Sequence, residues 1–164
     1  MTTIEKRKAR KKITAEDFTP SWLVEQMLDK LNEYGEESWE EGKSFLDPAC
    51  GTGNMLVCVL QRKIKLGHDP TKALTTIYGT DIMDDNIKEC RLRLLKIIKD
   101  SGVDITIEHI KSVFNNIVAT RLLKYKNGSL DYDFEFQNEA SNEDAQKWME
   151  GIQNNNWLEL IGHK

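Results

Sequence analysis

The chain has 164 residues, 39% hydrophobic and 30% charged, with a formal net charge of -4, enough to bury one ordinary core but not two. No run approaches the roughly eighteen apolar residues a membrane span needs, and the opening residues are charged. Neither a transmembrane helix nor a secretory leader is therefore expected, and the predicted location is cytoplasmic. Cys50, Cys58 and Cys90 are odd in number and lack paired ligand spacing, so reduced thiols are expected rather than a disulfide framework or a metal site.

Charge is unevenly spread. The first twelve residues hold six basic and one acidic side chain, leaving 17 basic against 26 acidic for the remainder. Residues 1–13 read as a basic, solvated arm, with phosphate neutralisation on a nucleic acid as the alternative. Residues 14–164 read as a single domain. Thr19-Pro20 signals a helix start, the threonine capping amides and the proline holding a helical φ, and Val24, Met27, Leu28 and Leu31 follow at helical spacing. A solvated loop is predicted over Tyr34 to Gly42, then a short strand from Lys43 to Leu46. The turn Asp47 to Gly53 leads into a helix with Leu56, Val57, Leu60 and Ile64 inward, stopped at Gly67.

Asp69-Pro70 begins another helical turn, and the β-branched and aromatic run Thr75 to Thr80 predicts a second strand ending at Asp81. Asp84 to Lys99 reads as a helix burying Ile87, Cys90, Leu94 and Ile98. Val103 to Asn116 fits alternation and helical spacing alike; a helix after Asp104 is preferred, then a short third strand at Ile117 to Ala119. Successive strand-helix units with short loops predict a parallel sheet with right-handed crossovers. Beyond it, Leu123, Tyr125, Leu130, Tyr132, Phe134 and Phe136 alternate around Asn127-Gly128, a strong hairpin signal. The last 28 residues read as one amphipathic helix interrupted at Asn154 to Asn156. Trp22, Trp39, Trp148 and Trp157 are expected in core or interface packing, and His68 and His109 at the surface.

The segment between the first strand and its helix carries the chemistry. Glycines at such a turn let backbone amides and a helix N-terminus approach a ligand closely. Asp47 ends the first strand, and Asp81 ends the second where ribose hydroxyls would lie in a doubly wound sheet, so the pair indicates a nucleoside-bearing ligand. Asp47-Pro48-Ala49-Cys50-Gly51-Thr52-Gly53-Asn54 resembles motif I of the adenine-amino DNA methyltransferases. Phe18-Thr19-Pro20 resembles the motif those enzymes place ahead of it, and Tyr78-Gly79-Thr80-Asp81-Ile82 resembles their second-strand motif.

The resemblance covers about residues 14 to 100. It implies an α/β, reduced Rossmann-like methyltransferase fold: a mostly parallel sheet of about four or five strands with helices on both faces. It also implies S-adenosylmethionine as cofactor. Asp47 would hold the methionine ammonium, and Pro48, Ala49 and the backbone of Gly51, Gly53 and Asn54 would line the cofactor. Phe18, Thr19 and Pro20 would close over its methionine end, Asp81 would take the ribose hydroxyls, and Ile82 would pack on adenine. The short length is similar to that of methylase-like proteins of tailed phages.

The family places Asn/Asp-Pro-Pro-Tyr/Phe after its fourth strand, where it gathers the target amine and faces the flipped base. The three prolines here are Pro20, Pro48 and Pro70, so no such tetrapeptide occurs and no catalytic residue is assigned. Gln137-Asn138-Glu139-Ala140-Ser141 stands in its place. Residues 131–144 carry six acidic side chains and no basic one, which repels a DNA backbone. The expectation is the cofactor-binding half of a DNA methyltransferase, with DNA a candidate partner and self-association or a protein partner covering the sheet edge. The alternative is a catalytically inactive cofactor-binding protein with a regulatory or anti-restriction role.

Overall fold

The computed structural model describes residues 5, 19–121, 124–126, 129–131, 136 and 141–160. Phe18, the basic arm apart from Glu5, and Leu123, Tyr132 and Phe134 lie outside the described residues, as do Asn127-Gly128 and the segment 137–140. None of the helices among the described residues is long and apolar enough to cross a membrane.

Helix α1 spans Ser21–Leu31. It starts one residue later than the sequence suggests, because the Pro20 carbonyl accepts from the amides of Leu23 and Val24 at 3.0 and 3.1 Å. Pro20 therefore stands just before the first turn instead of inside it, a shift within the usual uncertainty of helix ends. Val24 and Leu28 are buried as predicted, but Met27 and Trp22 face outward, Trp22 at 64% exposure. Two short 3-10 turns, Asn32–Tyr34 and Glu36–Trp39, replace the expected open loop. Their purpose is packing, since Trp39 is buried with its ring 4.9 Å from that of Phe45.

Strand β1 (Phe45–Asp47) passes through the glycine turn into α2 (Asn54–Lys65). Short helix α3 (Pro70–Thr75) follows, its N-cap Asp69 accepting from the Lys72 amide and its proline in the first turn as the sequence indicates. It takes up Thr75, so strand β2 runs Ile77–Asp81 and begins two residues later than expected. Helix α4 (Asp84–Asp100) buries Ile87, Cys90, Leu94 and Ile98 completely. Helix α5 (Ile107–Asn116) then runs directly into β3 (Ile117–Ala119).

The strands pair in the order β1-β2-β3, all parallel, with Asp47 opposite Gly79 and Gly79 opposite Ile117. Helices α2, α4 and α5 pack on this sheet. The parallel sheet thus has three strands among the described residues instead of four or five. The next pair, β4 (Lys124–Lys126) and β5 (Ser129–Asp131), forms a separate antiparallel hairpin with Tyr125 opposite Leu130. Neither strand joins the parallel sheet among the described residues. Phe136 reaches back, its ring 5.0 Å from that of Tyr78 in β2. Helices α6 (Asn142–Gln153) and α7 (Trp157–Leu160) reproduce the interrupted C-terminal helix, with Trp148 edge-on to Phe114 of α5.

Two buried polar groups tie the layers. The fully buried Lys63 of α2 donates to the Lys43 carbonyl and, at 2.7 Å, to Thr76 Oγ1, joining the approach to β1 to the end of α3. His109, expected at the surface, is only 3% exposed. Its Nδ1 accepts from the Thr106 amide at 3.0 Å, completing a capping box at the start of α5, and its Nε2 lies 2.9 Å from Thr71 Oγ1 on α3. Because Nδ1 is an acceptor, the proton of the neutral ring sits on Nε2 and is donated to Thr71.

Burial lowers the His109 pKa below the ordinary 6.5, with the Asp69 carboxylate acting the other way. A pKa depressed in the folded state gives stability that is full above the unfolded value and is lost as pH falls through the folded one. Thermal melts should therefore show the protein losing stability as pH drops from 7 toward 5. His109→Gln, which keeps an acceptor for Thr106, should lose less over that range; parallel curves would rule out this origin.

Candidate functional site

The site grows from the carboxyl ends of β1 and β2, where a doubly wound sheet opens its crevice. After Asp47 the chain turns back under β2: the Cys50 amide donates to the Thr80 carbonyl at 2.8 Å, and Thr80 Oγ1 donates to the Pro48 carbonyl at 2.9 Å. Thr80 is fully buried, so its hydroxyl serves this turn. The turn closes with the Gly53 amide donating to the Cys50 carbonyl at 2.8 Å. Gly51 and Gly53 hold φ of 53° and 85°, the left-handed region that side-chain-bearing residues enter at a cost.

Gly53 is the N-cap of α2, and no side chain caps that end. The first-turn amides of a twelve-residue helix consequently remain available to an external acceptor. Close approach explains the glycine from beneath as well, since a Cβ at Gly53 would lie 2.4 Å from Cys90 Sγ. Gly79 is under the same constraint, as a Cβ there would lie 2.6 Å from Leu56 Cδ1 and 3.0 Å from Cys50 Sγ. A lone glycine inside a β-branched strand is itself a sign of such an approach.

Asp81 organises the turn. Its Oδ2 accepts from the Gly51 amide at 3.1 Å, and its Oδ1 accepts from the Met83 amide at 2.8 Å and from Asn86 Nδ2 at 3.3 Å. Three of about four lone-pair directions are thus used within the chain. Asp47, also half-buried, accepts only the Ala49 amide among the described residues, at 3.1 Å. Its carboxyl pKa is raised, first by burial and further by the charge of Asp81, with the Ala49 amide opposing. An under-compensated carboxylate of this kind gains from a cation placed beside it. Ile82, next in sequence to Asp81, presents its apolar side chain to solvent at 53% exposure.

From the N-terminal side, the Thr19 carbonyl accepts from Asn54 Nδ2 at 2.9 Å, bringing Thr19-Pro20 onto the glycine turn. On the other side Arg93 Nη1 donates to Asn54 Oδ1 at 2.7 Å and to the carbonyl and hydroxyl of Thr52 at 2.8 and 3.3 Å. Cys50 and Cys90 are buried free thiols, and the Cys50 thiol donates to the Gly51 carbonyl at 3.6 Å. The neighbouring Cys90 thiol and burial push the Cys50 pKa far above the thiol range, which disfavours the thiolate. Among the described residues no cluster of His, Cys, Asp and Glu suits a metal ion.

Thr19, Pro20, Asp47, Pro48, Ala49, Gly51, Gly53, Asn54, Asp81 and Ile82 thus belong to three consecutive segments that meet at this turn. Phe18 lies outside the described residues. Arg93 and Asn86, both on α4, carry no signal in the sequence, which marks Cys90 only as a buried residue of that helix. Arg93 is 39 positions from Asn54, and a charge on an amphipathic helix reads as solvated until the helix is docked. Gly79 alone carried a local signal.

A family model described as N-6 DNA Methylase matches residues 4–160. No curated protein and no solved structure matches the chain.

Proposed function

The chain belongs to the N-6 DNA methylase family, and from that premise we propose that it binds S-adenosylmethionine at the turn between β1 and α2. One observation carries the reading: carboxylates at the ends of adjacent parallel strands, Asp47 and Asp81, flank the left-handed Gly51 and Gly53 beside an uncapped helix N-terminus. Members of this family generally use that cofactor, and the residues here suit it. Asp47 would face the methionine ammonium, Asp81 would offer its remaining lone pair to a ribose hydroxyl, and Ile82 would give adenine an apolar surface. Gly51 to Asn54, with Pro48 and Ala49, would line the ligand, and Phe18, Thr19 and Pro20 would close its methionine end. The bound cofactor supplies an electrophilic methyl group.

The second part of the proposal concerns transfer. These 164 residues contain no Asn/Asp-Pro-Pro-Tyr/Phe segment, so nothing in them matches the group that holds the target amine in the family. The reading favoured is a cofactor-binding half that transfers methyl groups only with a partner or a second copy. Binding without turnover, in a regulatory or anti-restriction role, is the second reading, which the same absent tetrapeptide favours. Tritiated methyl transfer to unmethylated DNA, with and without host extract, separates them: incorporation in extract supports the half-enzyme, and none in either leaves the binding protein.

Calorimetry tests the cofactor site itself. Asp47→Asn keeps an oxygen for the Ala49 amide but removes the charge, and should weaken S-adenosylmethionine binding about tenfold or more, the scale of a lost charge-assisted contact. The same change relieves a desolvated carboxylate beside Asp81, so the ligand-free protein should melt no lower than the parent. The advantage should grow as pH rises above about 4, because a raised carboxyl pKa penalises the ionised fold. Undiminished affinity in Asp47→Asn would remove Asp47 from the site, and absence of binding by the parent chain would end the proposal.

A further inference from the structure

The hydrogen bonds around Asn54 have a direction that the residue types impose. A guanidinium can only donate, so the side-chain atom of Asn54 facing Arg93 must be its oxygen. This is the arrangement observed, with Arg93 Nη1 2.7 Å from Asn54 Oδ1. The Asn54 amide nitrogen is thereby turned toward the Thr19 carbonyl, 2.9 Å away. Arg93 is itself held in place, being half-buried on α4 and donating also to the carbonyl and hydroxyl of Thr52. All three acceptors are neutral and all belong to the glycine turn or the first residue after it.

We propose that Arg93 is a positioning residue that, through Asn54, holds the Thr19-Pro20 segment against the glycine turn and so sets affinity for the amino-acid end of the ligand. The link runs α4 to α2 to the approach of α1, spanning 39 and then 35 positions of sequence. Thr19 has no hydrogen bond to α4 among the described residues and is bonded to Asn54, so Asn54 is the intermediary. Without Arg93, Asn54 is free to rotate and present its oxygen to the Thr19 carbonyl, an acceptor facing an acceptor. The Pro20 carbonyl, next to Thr19, receives the first amide bonds of α1 from Leu23 and Val24, so exchange of those two amides reports whether the segment is held.

The holding of the segment is independent of any ligand; the effect on affinity rests on the proposed cofactor reading, and the two are tested separately. In the ligand-free protein, hydrogen exchange of a peptide covering residues 19–25 should quicken about tenfold in Arg93→Met, the scale of one charge-assisted bond. Arg93→Lys, which retains a donor, should restore most of the protection. Asn54→Asp is the decisive variant: it keeps the acceptor for Arg93 and places a carboxylate favourably at the α2 N-terminus, yet removes the donor to Thr19. It should release residues 19–25 while leaving α2 and α4 as protected as in the parent. Unchanged exchange in both Arg93→Met and Asn54→Asp, or faster exchange throughout the chain in both, would overturn the proposal.

The ligand arm compares S-adenosylmethionine with methylthioadenosine, which lacks the amino-acid portion. Arg93→Met should bind the first about tenfold more weakly and the second within about twofold of the parent, since only one ligand reaches the held segment. Equal losses for the two would make Arg93 merely structural and overturn its role in affinity. If the parent binds neither ligand, the cofactor reading and the affinity role fall together, and the exchange experiment alone decides whether Arg93 holds the segment.

Discussion

Gly53→Ala is expected to destabilise the fold by about 2 to 5 kcal/mol, the sum of two separable costs. A non-glycine residue held at φ 85° costs about 1 to 2 kcal/mol. The new Cβ would also stand 2.4 Å from Cys90 Sγ, and relieving such a contact in a packed core costs about 1 to 3 kcal/mol. Cys90 is fully buried in the core, so its sulfur cannot swing aside freely. For a chain of this length the loss corresponds to a fall of roughly 10 °C in melting temperature. A background of Cys90→Ala separates the terms, because there the substitution meets only the φ cost and should lose about half as much. Urea unfolding of the four proteins gives the cycle; a cost unchanged by removing the sulfur would show that contact with Cys90 contributes nothing. The glycine is thus required by the protein's own packing, before any ligand is considered.

That requirement bears on what the sequence reveals. The run from Asp47 to Asn54 is legible because its constraints are local: an acidic residue ending a strand, two left-handed positions and a helix start follow one another within eight residues. The strand-helix alternation is legible for the same reason, and α4 buries all four residues its spacing selects. Constraints that act between elements leave weaker marks. His109 looked like a surface residue because nothing nearby announces that α3 will pack over it and that Thr71 will receive its Nε2 proton. Met27 fits the helical stripe with Val24 and Leu28 but lies at its margin and is 44% exposed. Arg93 reads as one more charge on a polar face, although it donates to Asn54 across 39 positions. The count of about four or five strands in a mostly parallel sheet came from the resemblance, whereas the alternation of the residues themselves pointed to the hairpin that β4 and β5 form.

Removing the Asp81 carboxylate should be the most informative change at the site, because it acts on the protein with no ligand present. Asp81→Ala deprives the Gly51 amide, the Met83 amide and Asn86 Nδ2 of their common acceptor. A buried donor left without a partner costs about 1 to 3 kcal/mol. The turn around Gly51 is half-open and can recruit water. The expected loss is therefore about 2 to 3 kcal/mol, short of three full penalties. Asp81→Asn should fall between alanine and the parent, since its oxygen can serve one or two donors while its NH2 group confronts another. Chemical denaturation without cofactor tests this, and an Asp81→Ala stability within about 0.5 kcal/mol of the parent would refute the bridging role. The outcome also governs how binding data must be read. If Asp81 holds Gly51 in place, its loss disturbs the turn whether or not a ribose ever touches the carboxylate, so lost affinity in Asp81→Ala does not identify a ribose contact. Asp47 lacks this ambiguity: it accepts one amide that asparagine can still satisfy, and neutralising it is expected to leave the ligand-free fold no less stable. On the proposed reading the pair would divide the work at the turn, Asp81 mainly building it and Asp47 presenting charge to a ligand. A variant series in which affinity falls for Asp47→Asn while stability does not is the pattern that distinguishes a ligand contact from a structural one.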